Sequence, residues 1–140
     1  MRYVIIGNSV AAVNAIEAIR GIDPEGEIAV VSDEELFNYS RPLLSYYLGG
    51  RISAERLPFR DRDFYEGHRV DLVLGKRATS IDVEGRVVGL EDGQFLPYDR
   101  LLLSVGGRPI IPPMEGYRED LQGVFTFLKW RDAKGLIAYI

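Results

Sequence analysis

Gly7-Asn8-Ser9-Val10-Ala11-Ala12 is the segment of this sequence best equipped for chemistry. It is a variant of G-x-G-x-x-G/A, set between an apolar run, Arg2 to Ile6, and a stretch whose apolar residues recur at helical spacing. Glycine at the first position makes the tight turn because it has no Cβ, and the helix that follows aims free amides and its dipole at a pyrophosphate. Ser9 replaces the second glycine; its small side chain leaves the approach open and adds a hydroxyl donor. Ala12 takes the third position, which has only to let helix and strand pack closely. A strand-to-helix turn without any ligand has the same look, so the loop is read together with what lies downstream. Asp33 and then Glu34, at the end of the second apolar run Glu27 to Val31, suit the ribose hydroxyls of a dinucleotide. No arginine adjoins them in sequence, which favours a ribose with a free 2′-hydroxyl.

Other reactive chemistry is scarce. The chain has no cysteine, so it offers no redox disulfide, thiolate nucleophile or iron–sulfur ligand, and electron chemistry must use a bound cofactor. Its one histidine, His68, has no companion for a zinc site and is expected in a loop before a strand. No metal site is expected, and no residue is assigned as catalytic. A net charge of -4 and the absence of a basic stripe argue against nucleic acid, so Tyr39, Tyr46 and Tyr47 are expected to pack on the fold rather than stack on bases. No apolar run approaches the ~18 residues of a membrane span, and Tyr3 to Ile6 is too short for a signal peptide. A cytoplasmic location is expected.

The elements that must position the loop follow from the apolar pattern. Arg2 to Ile6 and Glu27 to Val31 are expected strands buried on both faces. Between them Val10, Val13, Ile16 and Ile19 mark a helix that Gly21 should end, giving a right-handed βαβ unit. After a polar loop, Ser32 to Arg41, a helix is expected from Pro42 to Leu48 and stopped by Gly49-Gly50. Short helical turns are expected around Pro58, a further parallel strand over Arg69 to Leu74, and an antiparallel meander over Ala78 to Val83, Arg86 to Leu90 and Gln94 to Pro97. Leu101 to Val105 reads as a central strand. An irregular proline-rich loop then leads to a last strand at Val124 to Phe127 and a helix over Asp132 to Ile140. The fold class is α/β: a Rossmann-like, three-layer fold with a central parallel sheet and a small antiparallel meander.

Three ordered segments give the chain a resemblance to a known family. Residues 4 to 20 (VIIGNSVAAVNAIEAIR), Tyr39-Ser40-Arg41-Pro42-Leu43-Leu44-Ser45, and residues 98 to 109 (YDRLLLSVGGRP) are similar to the FAD-binding N-terminal region of the pyridine nucleotide-disulfide oxidoreductase superfamily. The likeness is to its rubredoxin reductase, ferredoxin reductase and nitrite reductase large-subunit group, and it spans nearly all of the chain. The resemblance implies cofactor-binding roles for Gly7, Asn8, Ser9, Ala11 and Ala12 along the pyrophosphate, and for Asp33 and Glu34 at the adenosine ribose. It implies Arg41, with Pro42, along the phosphates, the backbone of Ala78 at the adenine, and Ser104, Val105 and Gly106 close to the cofactor. Three departures stand out. Tyr46 replaces a lysine that several relatives have near the flavin, Val105 replaces the threonine of the family's second signature, and the redox cysteine of the disulfide-active branches is absent.

The resemblance further implies hydride transfer from NAD(P)H to FAD and electron transfer onward to a carrier protein or a small acceptor. That needs a second Rossmann unit and a late Gly-Asp motif, and neither is found in this sequence. The expectation is therefore an FAD-binding domain over residues 1–128, and over 129–140 the start of a linker helix toward an NAD(P)-binding domain outside the sequence. The segment alone is expected to be inactive and to self-associate through its apolar last stretch. A non-catalytic nucleotide-binding module remains the alternative.

Overall fold

The computed structural model describes residues 1–36 and 38–140; Phe37, inside the expected polar loop, lies outside the described residues. The element order is β1 (Arg2–Ile6), α1 (Val10–Ile22), β2 (Glu27–Ser32), α2 (Leu44–Leu48), α3 (Arg62–Gly67), β3 (Val70–Leu74), β4 (Ala78–Asp82), β5 (Val87–Leu90), β6 (Phe95–Pro97), β7 (Arg100–Leu103) and α4 (Trp130–Tyr139), with 3₁₀ turns at Arg41–Leu43 and Ala54–Arg56. These form two compact units, Met1–Tyr39 with Pro58–Gly106, and Ser40–Leu57 with Gly107–Ile140.

In the first unit a parallel four-stranded sheet runs in the order β3-β2-β1-β7, and a separate antiparallel sheet runs β4-β5-β6. The continuous apolar runs of β1 and β2 are explained by burial on both faces. Ile5, Ile28 and Val30 pack with Ala12 and Ile16 of α1 and Tyr65 of α3, while Val4 and Val31 pack with Val88 and Leu90 of the meander and with Tyr98. Helices, parallel sheet and meander are thus the three layers expected from the pattern. Each fully buried Ile or Val in them contributes on the order of 1.5–3 kcal/mol relative to exposure.

Two expectations for this unit change. Helix α1 runs through Gly21 to Ile22, and a side chain at Gly21 would meet nothing within 4 Å, so this glycine is not the stop. The stop comes at Asp23, whose N–H makes the last helical bond, to the Ile19 carbonyl at 2.7 Å, while its own backbone leaves helical angles at φ −135° and ψ 85°. The Arg20 guanidinium donates to the carbonyls of His68 (2.6 Å), Gly26 (2.6 Å), Asp23 (3.2 Å) and Arg69 (3.2 Å), tying the helix end to the turn and to the α3–β3 corner. The second change is β7, which is an edge strand of its sheet rather than a central one. Leu102 and Leu103 are 38% and 57% exposed. An apolar run reports that faces need covering; it does not report how many strand neighbours are present.

The second unit is built from small aromatic contacts. Pro42 sits in the first turn of the 3₁₀ segment as its fixed φ favours, and Gly49 closes α2 by donating to the Ser45 carbonyl. The Tyr47 ring lies 4.6 Å from that of Trp130, and Phe125 meets Tyr139 edge-on at 5.2 Å. Helix α4 starts two residues before the expected Asp132, because the Asp132 carboxylate accepts from the Leu128 and Lys129 amides at 2.8 Å each and caps the helix. Val124 to Phe127 forms no strand: it pairs with no sheet edge among the described residues, and Phe125 packs on the Tyr139 ring instead.

Strands β1 and β7 begin in register through a reciprocal clamp. Asp99 donates its N–H to the Arg2 carbonyl (2.8 Å) and its carboxylate accepts from the Arg2 N–H (2.7 Å). That N–H bond, foremost, holds the Asp99 carboxyl below the ordinary aspartate range. A carboxyl depressed by folding stabilises the fold above its unfolded pKa, and the stabilisation is lost as pH falls through the folded value. Asp99→Asn should therefore narrow the difference between urea midpoints measured at about pH 7 and about pH 3. An unchanged difference would remove Asp99 from the acid response.

A candidate pyrophosphate-binding loop

Parallel strands present their carboxyl ends on one side, and the register pairs Ile6 with both Val31 and Leu103. The residues that follow those three, Gly7, Ser32 and Ser104, therefore meet at one rim, where ligands of open α/β sheets bind. Gly7 donates its N–H to the Val31 carbonyl at 2.8 Å and adopts φ +105°. A Cβ on it would collide with the carbonyl of Ser104, lying 2.7 Å from the carbon and closer still to the oxygen. The glycine is thus required first by the neighbouring chain segment. Ser104 completes the contact: its N–H donates to Ile6 O (2.8 Å), and its hydroxyl lies 3.0 Å from Ile6 O and 3.1 Å from Gly7 O. The side chain of Ser104 is turned toward the loop backbone.

Ser9 is the N-cap of α1, with extended backbone and no side-chain capping bond, and the first turn holds no acid. The helix therefore keeps unpaired N–H groups and an uncompensated positive end, the two features an anion uses. Ala12 is fully buried against the sheet, as the third position of the motif demands, whereas Val10 and Ala11 face outward. Asn8 is held by a network that the sequence does not announce. Its Oδ1 accepts from the Tyr65 hydroxyl at 2.7 Å, and that hydroxyl accepts from Asn38 Nδ2 at 2.8 Å. Asn38 is itself fixed by the Phe59 and Arg60 amides, which donate to its Oδ1 at 3.1 and 2.9 Å. Burial pushes the Tyr65 phenol above its ordinary value and keeps it protonated.

The acids at the end of β2 differ in setting. Glu34 accepts from the Tyr39 hydroxyl at 2.9 and 3.0 Å, so its carboxylate is oriented; Asp33 is exposed. The sequence places no arginine beside them, but the fold does: Arg77 Nη2 lies 3.9 Å from Asp33 Oδ2. Pairing of β2 with β3 causes this, since Gly75 and Lys76 donate their N–H groups to the Glu34 and Ser32 carbonyls. Ala78 opens β4 next to Arg77, half-buried against the core. Val105 is 62% exposed and Gly106 turns the chain with φ +68°. Arg41 and Pro42 belong to the second unit, where the Arg41 carbonyl accepts from the Leu44 N–H. No group of three or more His, Cys, Asp or Glu side chains among the described residues is arranged for a metal ion. Tyr65 and Asn38 are residues that motif reading misses as contributors to the site, because hydrogen bonds between positions tens of residues apart leave no periodic trace.

A glycine turn from a parallel strand into a helix, with acids at the end of the next strand and a meander on the far face, defines a Rossmann-like nucleotide-binding fold. Residues 1–138 match the family model "Pyridine nucleotide-disulphide oxidoreductase", and the chain belongs to that family. It is 36% identical over 115 residues to the NADH-dependent phenylglyoxylate dehydrogenase subunit epsilon of Aromatoleum evansii, covering 82% of this chain and 27% of that protein. It is 32% identical over 138 residues to the nitrite reductase [NAD(P)H] of Bacillus subtilis, covering 98% of this chain and 17% of that protein. The covalent putidaredoxin reductase–putidaredoxin complex superposes with a TM-score of 0.79 at 30% identity, covering 98% of this chain and 33% of the solved one. The chain spans a third or less of the length of these relatives.

Because Gly7 is constrained by both φ and Ser104, Gly7→Val should lower stability by at least about 2 kcal/mol, combining backbone strain with overpacking. Urea unfolding of the two proteins measures it, and a loss within about 0.5 kcal/mol would show that the contact relaxes freely.

Proposed function

We propose that this chain is the part of an FAD-dependent NAD(P)H oxidoreductase that holds the ADP half of FAD, the complete enzyme passing electrons to a carrier protein or a small acceptor. The observation that carries the reading is the uncapped, acid-free N-terminus of α1 set directly behind the Gly7 turn, with Glu34 oriented at the same rim. The residues fit the cofactor: Gly7, Asn8, Ser9 and Ala11 suit a pyrophosphate, Asp33 and Glu34 the ribose hydroxyls, and Ala78 the adenine. Arg41 with Pro42 is assigned to the phosphates, and Ser104, Val105 and Gly106 to the rim beside the cofactor. When bound, FAD supplies two-electron acceptance from a nicotinamide and stepwise release to an acceptor. The chain's own residues bind and orient it.

Membership of the family supports this reading, as do relatives named for NADH-dependent and NAD(P)H-linked reactions and a solved relative joined to putidaredoxin. Residues 1–128 form the FAD-binding part in this proposal and 129–140 the start of a linker toward an NAD(P)-binding domain. The location is cytoplasmic in the same proposal; no helix among the described residues is long and apolar enough to cross a membrane. Exposed apolar side chains in the second unit, Ile110 at 92% and Ile140 at 87% foremost, support self-association of the chain as it stands. Light scattering should show a dimer or larger species, and a monomer at all concentrations would overturn that part.

Titration calorimetry with ADP and with inorganic pyrophosphate tests the main reading. Asp33→Asn combined with Glu34→Gln should cost about 2–4 kcal/mol of ADP binding and much less of pyrophosphate binding, since charge-assisted hydrogen bonds to ribose are lost. Equal losses would point to general electrostatics, and no ADP binding by the unmodified chain would reject the assignment.

A further inference from the structure

The hydrogen bonds behind the phosphate loop have a fixed direction. Asn38 Oδ1 accepts from two backbone amides, so its amide cannot turn over, and its Nδ2 must donate to Arg60 O (3.1 Å) and to the Tyr65 hydroxyl (2.8 Å). A phenol has one proton. With its oxygen accepting from Asn38, the Tyr65 hydroxyl spends that proton on Asn8, 2.7 Å away, and Asn8 must present Oδ1 to it. The opposite end of the Asn8 amide, Nδ2, is then buried and has no hydrogen-bond partner among the described residues. A buried donor without an acceptor is a cost that folds ordinarily avoid. The residue that carries it stands in the chain between Gly7 and Ser9, the N-cap of α1.

We propose that Asn38 and Tyr65 are positioning residues that hold the Asn8 amide with its donor end committed to the phosphate loop, where a pyrophosphate oxygen of a dinucleotide completes the missing bond. This rests on the ADP-site reading above and adds to it a relay from the backbone at Phe59–Arg60 to the ligand. The donor is closed off in the structure, so the oxygen reaches it by displacing what covers it. Neither Asn38 nor Tyr65 touches the ligand; both lie deep in the first unit, 0% and 1% exposed.

A double-mutant cycle on the full chain separates the relay from general support of the fold. Tyr65→Phe keeps the ring and removes the hydroxyl, while Asn8→Ala cuts the relay at the loop and leaves the buried Asn38–Tyr65 pair in place. Each single variant should bind ADP about tenfold more weakly, the usual scale of one hydrogen bond to a charged group, with adenosine binding unchanged. In the Asn8→Ala background, Tyr65→Phe should have no further effect on ADP. Urea midpoints follow stability separately, and Asn8→Ala, at a half-buried surface position, reports even if Tyr65→Phe folds poorly. The relay is overturned if the unmodified chain binds ADP and either single variant binds it equally well, or if the two losses simply add. Failure of the unmodified chain to bind ADP rejects the relay together with the site on which it rests.

Discussion

The first unit depends on a single close approach, the passage of the Ser104 backbone against Gly7. No other residue type fits there without strain, since the carbonyl occupies the space of a Cβ and φ is positive. The contact joins the exits of β1 and β7, and Ser104 secures it with bonds from both its amide and its hydroxyl to the Ile6 carbonyl. The start of α1 and the exposed rim follow from where that approach fixes the chain. Binding and folding therefore draw on the same glycine, and its loss acts on both.

Much of this was legible in the sequence, for a physical reason. Period and punctuation report burial: the double-faced apolar runs of β1 and β2 announce a covered parallel sheet, and the turn chemistry at Glu84-Gly85 and Glu91-Asp92-Gly93 announces the meander. The loop motif locates Gly7, Ser9 and Ala12 because each answers a local steric demand. What failed lay in pairing and tertiary bonds. Val124 to Phe127 has strand-like composition and no partner edge, β7 has central-strand composition at an edge, and Gly21 has stop-signal composition inside a helix.

The candidate site shows the same division more sharply. Composition marks Asp33 and Glu34 alike, yet the fold gives them different surroundings: Tyr39 orients one carboxylate and Arg77 approaches the other. Neither partner adjoins its acid in the sequence, and the second arrives only because β3 pairs with β2. The Asn38–Tyr65 link is less legible still, since an Asn before a Tyr and a Tyr at the inner face of a short helix are ordinary residues until the sheet brings them together.

The Arg20 guanidinium bears on how this sequence can change. Every acceptor it meets is a main-chain carbonyl, from Asp23, Gly26, His68 and Arg69. A planar fork with five donors can serve such a set, whereas a lysine ammonium with three donors on a single atom cannot. The chain's one histidine thus meets Arg20 through its carbonyl, while its ring is engaged within its own helix end, Nδ1 lying 2.7 Å from the Phe64 carbonyl. The four bonds ask only for a carbonyl at each receiving position, and the receiving side chains answer to other contacts: a Cβ on Gly26 would meet the Asp23 carboxylate and the Tyr3 ring, and the Asp23 carboxylate accepts from the Tyr3 hydroxyl.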